Sequence, residues 1–199
     1  MFLNFIIIAW RNLLKNRAVS FINIIGLTLG LASAVLAILF ARHELTYESS
    51  HQNADRISKI YLGGSFGVVD WAPFSFGPEG ETLASMYPEA EEHSISRSVT
   101  GIARVGDKLF MEDNILVADS SLFSIFTIPF LSGAPAVDPA SLVLSKSTAR
   151  RYYGNDDPYG EIITIELYGE KIDFRITGVF DDLPSNTHLK ADIIIPLSL

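Results

Sequence analysis

The stretch AVSFINIIGLTLGLASAVLAILFA, residues 18–41, decides the organisation of this chain because none of its residues carries a formal charge. At ~1.5 Å per residue, a helix of this length reaches roughly 36 Å. The hydrocarbon core of a bilayer is about 30 Å thick, and a longer helix fits by tilting. The stretch therefore predicts one transmembrane helix over residues 18–41.

The charges around this span predict its orientation. Arg11, Lys15 and Arg17 precede it, whereas the far side mixes Arg42 with Glu44. Because Lys and Arg are retained on the cytoplasmic side, we expect the N-terminus inside and residues 42–199 outside. A cleaved signal peptide is the alternative, but its apolar region normally runs only ~7–15 residues, which is shorter than this stretch.

Residues 1–17 predict an interfacial amphipathic helix. Asn4, Arg11 and Lys15 share one face of a helical wheel. The other face is apolar and comprises Phe2, Phe5, Ile6, Ala9, Trp10 and Leu13. We expect Trp10 at headgroup depth, with Arg11, Lys15 and Arg17 facing the inner-leaflet phosphates. In the alternative interpretation, these basic residues only set the topology.

A second pattern lies within the span. Gly26, Gly30 and Ala34 recur at every fourth residue, so they share one side of the helix. Small residues at this spacing let another backbone approach closely, which predicts packing against other spans. Glycine is also frequent in membrane helices generally, so composition alone gives a second explanation.

The rest of the chain is acidic. The net charge of −8 combines +4 over residues 1–42 with −12 beyond them, while the mean hydropathy is +0.28. Such a domain would repel nucleic-acid phosphates, so we expect no nucleic-acid partner. The chain has no cysteine, which excludes disulfides and thiolate metal ligands.

Residues 42–199 predict an α+β domain in which helices pack on a mainly antiparallel sheet. Strands are expected at residues 57–62, 94–99, 102–105, 108–111, 115–118, 142–144, 162–167, 172–177 and 192–195, and helices at 78–87, 120–126 and 146–153. Pro78 suits a first helical turn, Ser120 suits an N-cap, and Gly154 suits a helix end. The strands between residues 94 and 118 predict an antiparallel meander.

No catalytic constellation is visible. His43, His51, His93 and His188 are scattered, without a metal-ligand spacing such as H-E-x-x-H. G-x-S-x-G and P-loop motifs are absent, so we expect neither an enzyme nor a bound cofactor or metal. Residues 150–153, Arg-Arg-Tyr-Tyr, could contact an anion, but an exposed helix end with cations near its C-terminus is the favoured interpretation.

Several blocks of the sequence resemble the MacB-like and FtsX-like permeases of ABC transporters, especially the two-repeat members of Bacteroidetes-type bacteria. They are, in order, AWRNLLKNRAVSFINIIGLTLGLA, HELTYESSHQNADRISKIY, LFSIFTIPFLSGAP, LVLSKSTARRYYGNDDPYGEIITI and ITGVFDDLPSNTHLKADIIIPLSL. The first resembles the family's amphipathic helix and first span, and the second resembles the exit into the periplasmic core domain. The likeness covers nearly the whole chain.

This resemblance implies a permease-subunit fragment in the bacterial inner membrane, with its main domain in the periplasm. It implies coupling of a partner ABC ATPase to export or mechanotransmission, with ATP bound only by that partner. The other implied partners are the remaining permease helices or a second permease copy, and a periplasmic client.

Family members continue into further membrane helices, so the resemblance predicts a fragment, a truncated gene or half of a split permease. Residues 193–195 would then form an unpartnered edge strand. The alternative function is a signal-anchored periplasmic binding or regulatory module without a transport role. A membrane-tethered hydrolase is the weakest hypothesis, because no nucleophile and base are suitably spaced.

Overall fold

The computed structural model describes residues 2–66, 69–72 and 79–197. They fall into two compact units, Met1–Tyr47 and Glu48–Leu199. The helices are α1 Phe2–Lys15, α2 Arg17–Leu45, α3 Glu79–Met86, α4 Leu122–Ile125 and α5 Lys146–Tyr153. The strands are β1 Leu62–Phe66, β2 Val69–Ala72, β3 Ser96–Val105, β4 Lys108–Ala118, β5 Phe130–Gly133, β6 Ser141–Ser145, β7 Ile162–Leu167, β8 Glu170–Phe180 and β9 Ile193–Pro196.

The first unit consists of α1 and α2, which are separated at Asn16. The backbone of Asn16 leaves the helical region, with φ −113° and ψ 56°, so the predicted helix over residues 1–17 ends two residues early. Helix α2 continues beyond residue 41 to Leu45 and contains no buried residue. It is the one described helix long and apolar enough to cross a membrane. The placement of domain boundaries at residues 17 and 41 stays a prediction.

The predicted first strand at residues 57–62 is wrong for all but its last residue. A short 3₁₀ turn, Ala54–Arg56, precedes this stretch, and strand pairing begins only at Leu62, opposite Ala72. Residues 58–61 are exposed, so their apolar side chains do not pack on a sheet, and packing on a sheet is what stabilises an alternating sequence as a strand. The predicted helix over residues 78–87 corresponds to α3, although Pro78 lies outside the described residues.

The predicted meander is a single long hairpin. Strands β3 and β4 pair antiparallel, and the register shifts between Val99 and Gly101, which lie opposite Ile115 and Glu112. One residue of β3 therefore faces two residues of β4, which is a β-bulge. The residues at the bulge are polar, so the alternation of apolar and polar residues is interrupted in both strands. Each of the two long strands therefore has the sequence pattern of two short strands.

Seven strands form the main sheet in the order β5-β8-β6-β9-β4-β3-β7, and β7 also pairs with β8. The second pairing closes six strands into a ring, with β5 attached to β8 outside it. Most pairings are antiparallel; β4–β9 and β6–β8 are parallel. Strand β9 lies between β6 and β4, so the expectation of an unpartnered edge at residues 193–195 is wrong.

The central strands are apolar at consecutive positions because both faces of the sheet are covered. Leu142 and Leu144 belong to one hydrophobic cluster with the α5 residue Tyr152, whereas Val143 between them packs with Leu122 of α4 in a second cluster. The same alternation holds for Ile193, Ile194 and Ile195 of β9. A mixed helix and sheet domain with an α+β architecture is confirmed.

The helices of the domain largely follow their predicted limits. Helix α5 begins after Ser145, whose hydroxyl accepts a bond from the Thr148 N–H, and it ends at Gly154 with φ 71°. The predicted hairpin between β7 and β8 turns at Tyr168 and Gly169, both at positive φ. Helix α4 is shorter than predicted, and its N-cap is Ser121 rather than Ser120.

Candidate functional site

The chain enters the domain through Glu48, three residues after the last residue of α2. Its backbone is in the left-handed region at φ 59°, which is uncommon for a residue with a Cβ. The Glu48 N–H donates to the Asn186 carbonyl over 2.9 Å. Such a conformation persists only where the surrounding contacts fix it.

The Glu48 carboxylate binds a loop that lies almost 140 residues further along the chain. The Thr187 hydroxyl donates to Oε2 over 2.6 Å, and the His188 N–H donates to Oε1 over 2.5 Å. The His188 Nδ1 lies 2.7 Å from the same Oε1. This one side chain therefore fastens the start of the domain to the loop before β9.

His51 completes the arrangement from within the protein, with only 4% of its surface exposed. The Thr127 N–H donates to its Nδ1 over 3.2 Å, so the ring proton lies on Nε2. Nε2 faces the Thr187 hydroxyl at 3.1 Å and Glu48 Oε2 at 3.2 Å. The ring edge also packs on Phe126, at 5.1 Å between centroids.

We call Glu48, His51, Thr127, Thr187 and His188 the Glu48 clamp. Burial alone would raise the pKa of Glu48, but the bonds from Thr187 and His188 outweigh it and hold that pKa below the ordinary value. The carboxylate is thus stabilised in its ionised form. Chemically, the clamp is a satisfied hydrogen-bond network that holds three separate stretches of chain together.

The residues predicted from the sequence to act at the membrane all lie in the first unit. Trp10 is 64% exposed on α1, where Arg11 and Lys15 are also exposed. Arg17 instead begins α2, and its Nε donates to the Leu14 carbonyl over 3.2 Å. The structure therefore divides the predicted basic group between two helices.

Gly26, Gly30 and Ala34 are exposed on α2. A Cβ added at Gly26 or Gly30 would meet no described atom within 4 Å. Their spacing keeps the three residues on one side of the helix. A helix-packing role for them stays a prediction.

The interpretation of residues 150–153 as an exposed helix end fits Arg150 and Arg151 but is wrong for Tyr152, which is buried. Arg151 binds both oxygens of the buried Glu112, at 2.8 and 2.6 Å, and the Tyr152 hydroxyl donates to Glu112 Oε1 over 2.5 Å. Burial and the Glu112 carboxylate raise the pKa of Tyr152. These contacts fasten α5 to β4, while Arg150 remains exposed.

The histidines are scattered in the sequence, and their spacing does not reveal that His51 and His188 meet at one carboxylate. The members of the Glu48 clamp lie in three separate blocks, HELTYESSHQNADRISKIY, LFSIFTIPFLSGAP and ITGVFDDLPSNTHLKADIIIPLSL. No spacing rule links positions this distant. Among residues 2–66, 69–72 and 79–197, no group of three His, Asp or Glu is arranged to hold a metal ion.

Comparison with known proteins gives a family and a set of related structures. The family model described as MacB-like periplasmic core domain matches residues 20–199. A domain of a putative permease from Porphyromonas gingivalis is similar, with 25% identity, a TM-score of 0.46, and coverage of 54% of this chain and 51% of that one.

Two other solved structures are similar. The periplasmic region of MacB from Actinobacillus actinomycetemcomitans has 17% identity and a TM-score of 0.44, and the match covers 63% of this chain and 62% of that one. The extracellular domain of the noncanonic ABC-type transporter YknZ from Gram-positive bacteria has 16% identity and a TM-score of 0.42, with coverage of 52% and 53%. The match thus spans between about half and two thirds of each of these chains. The search of curated proteins finds no match.

Proposed function

The chain belongs to the family of the MacB-like periplasmic core domain, and from this premise we propose that it is part of an ABC-transporter permease subunit that couples a partner ATPase to periplasmic export or mechanotransmission. The observation that carries the proposal is the extent of the family match. It begins inside α2 and continues through the domain, so it covers most of the apolar helix together with the sheet.

The apolar α2 and the periplasmic-type domain fit a membrane-anchored protein. We further place α2 across the bacterial inner membrane, with α1 on the cytoplasmic side and the domain in the periplasm. The support is the excess of basic residues before the span, Arg11, Lys15 and Arg17. In this orientation α1 is the described part of the chain available to a cytoplasmic ATPase.

The Glu48 clamp could transmit displacement within the domain. A helix transmits displacement to a domain only if the connection between them is stiff. Here the segment after α2 is fastened by Glu48 to Thr187 and by His51 to Thr127, at 2.6 and 3.2 Å. Movement that reaches Glu48 would therefore be passed on to the loop before β9.

In the proposed complex, this chain performs no catalysis and binds no cofactor of its own, while ATP binds the partner subunit. The remaining permease helices, or those of a second permease copy, would pack on the face formed by Gly26, Gly30 and Ala34. The support for that packing is the open space around the two glycines. The periplasmic client would bind the domain.

The proposal is tested by co-purification of the detergent-solubilised chain with the ABC ATPase encoded beside its gene. We expect the ATPase to remain bound to the tagged chain through affinity purification. A variant with Arg11→Glu and Lys15→Glu in α1 should lose the ATPase. The matched control is Arg104→Glu with Lys108→Glu, two exposed cations of the domain, which should retain it.

The absence of a neighbouring ATPase gene, or repeated loss of the ATPase under stabilising conditions, would count against coupling. A chain that stays membrane-anchored and binds a periplasmic partner without any ATPase would instead favour the signal-anchored binding module.

The packing face is tested separately in a membrane-helix association assay. Replacing both Gly26 and Gly30 with Ile should abolish association, because the added side chains hold a neighbouring backbone away. The control replaces Leu27 and Leu31 with Ile, which keeps the same spacing about 100° around the helix. Equal association of the two variants would mean that the face formed by Gly26 and Gly30 does not mediate helix packing.

A further inference from the structure

An open groove of about 370 Å³ lies on the domain, away from the Glu48 clamp. Its lining residues come from β5, α5, the loop after α5 and one residue of β8. The residues that line it are Leu131, Ser132, Lys146, Ala149, Arg150, Gly154, Asn155, Asp156, Pro158 and Val179. Ala149, Pro158 and Val179 are buried and form an apolar floor beneath an exposed rim.

One wall of the groove is β5, the strand at the end of the sheet order. Strand β5 pairs with β8 along one edge, and none of the described strands pairs with its other edge. An unpaired edge presents main-chain N–H and C=O groups that another extended segment can bind. Leu131 of this strand is 52% exposed, so an apolar side chain accompanies those groups.

The opposite wall carries two cations, Lys146 and Arg150, in a domain whose net charge is negative. Arg150 is exposed, and no described side chain forms an ion pair or hydrogen bond with its guanidinium. Lys146 is 3.3 Å from Asp181, and Asp156 supplies one carboxylate to the rim. The arginine is therefore the group free to meet an anion from outside.

We propose that an extended segment of a partner protein binds beside this groove, along the free edge of β5, and presents an acidic side chain to Arg150. The extended conformation follows from the free edge of β5, and the acidic residue follows from the charge of Arg150. A helix would leave the main-chain groups of β5 without partners. This inference goes beyond the proposed coupling, since it requires no ATPase.

The test is a display library of ten-residue peptides selected against the full chain in lipid nanodiscs. We expect enrichment of peptides in which an Asp or Glu is flanked by β-branched residues. The selected peptides should bind the Arg150→Glu variant about tenfold less tightly, because attraction becomes repulsion. Leu131→Ser should weaken the same peptides by removing an apolar contact.

Matched controls use the same substitutions elsewhere on the domain. Arg104→Glu and Leu109→Ser change exposed residues that do not line the groove, and they should leave peptide binding unchanged. Enrichment of basic peptides, or equal binding to all four variants, would overturn the proposal. If the chain self-associates and only Arg150→Glu and Leu131→Ser abolish it, without peptide enrichment, the groove belongs to a second copy and the proposal is wrong.

Discussion

Apolar side chains lie on the outside of the N-terminal helices and on the inside of the domain. Phe21 of α2 is 66% exposed, whereas Phe174 of β8 is 0% exposed. The two residues are chemically identical, so the difference lies in what surrounds each unit. The domain supplies its own apolar interior, while α2, in the proposed placement, has its surface covered by lipid.

Polar side chains show the complementary difference. In α2 the Thr28 hydroxyl donates to the Ile24 carbonyl over 2.7 Å, and Ser33 donates to Leu29 over 2.9 Å. In the domain, Glu48 binds Thr187 across almost 140 residues. A helix that satisfies its polar groups internally suits a bilayer, which offers no water to replace them. The domain is instead fixed by contacts between distant segments.

The largest effect should come from truncating one phenylalanine in each unit. Phe174→Ala should lower the free energy of unfolding of the domain by about 4 kcal/mol, because it removes a buried ring and leaves a cavity. Phe21→Ala should leave it nearly unchanged. Thermal unfolding of the full chain in detergent, followed by near-ultraviolet circular dichroism, measures both. Equal losses would contradict the division into two differently solvated units.

When an arginine is introduced into each unit, we expect α2 to be the more sensitive unit, in contrast to the phenylalanine substitutions. Leu31→Arg should cost about 3 kcal/mol of membrane insertion, since it places a cation near the middle of the span. Leu109→Arg should have little effect on folding, because this leucine is 57% exposed on the domain. Carbonate extraction of membranes reports insertion. Release of the parent chain by carbonate would contradict a spanning α2.

Two adjacent arginines sharpen the comparison inside the domain. Arg151→Met should lower the free energy of unfolding by roughly 2 kcal/mol, because the buried Glu112 carboxylate loses its cation and keeps only its other donors. Arg150→Met should change it by less than about 0.5 kcal/mol, as is usual for an exposed site. Urea denaturation of both variants provides the measurement. Similar midpoints would mean that Glu112 does not fasten α5.

The smallest effect concerns the pH dependence of the Glu48 clamp. The folded-state pKa of Glu48 is lowered, so the stability that Glu48 contributes is present above its ordinary pKa of 4.5 and is lost as pH falls through the folded-state pKa. Glu48→Gln should flatten the decline in unfolding free energy below about pH 5, a difference of about 1 kcal/mol. The exposed Glu170 gives a matched control, Glu170→Gln, whose profile should follow the parent chain.

Local patterns predicted the elements that depend on nearby residues. The apolar run predicted α2, and residues 146–154 predicted α5 together with the glycine that ends it. Residues 162–177 gave the β7–β8 hairpin because its turn residues are adjacent. In each case the physical cause lies within a few residues, where periodicity and capping act.

Long-range pairing was beyond these patterns. The position of β9 between β6 and β4 depends on partners some 50 to 80 residues away, so its apolar run was compatible with an edge. The contact of His51 and His188 with Glu48 was not predicted for the same reason, because His188 lies far from the other two residues along the chain. The bulge opposite Gly101 broke the alternation on which strand prediction depends.

The central claim is that α2 crosses the membrane and carries the domain on the far side from α1. The chain has no cysteine, so Asn4→Cys and Tyr168→Cys each introduce a single reporter thiol. Both sites are exposed, one on α1 and one on the β7–β8 turn. In intact spheroplasts, a membrane-impermeant maleimide should label the Tyr168→Cys chain at once and the Asn4→Cys chain only after lysis. Labelling of both thiols in intact spheroplasts, or of Asn4→Cys alone, would contradict the claim.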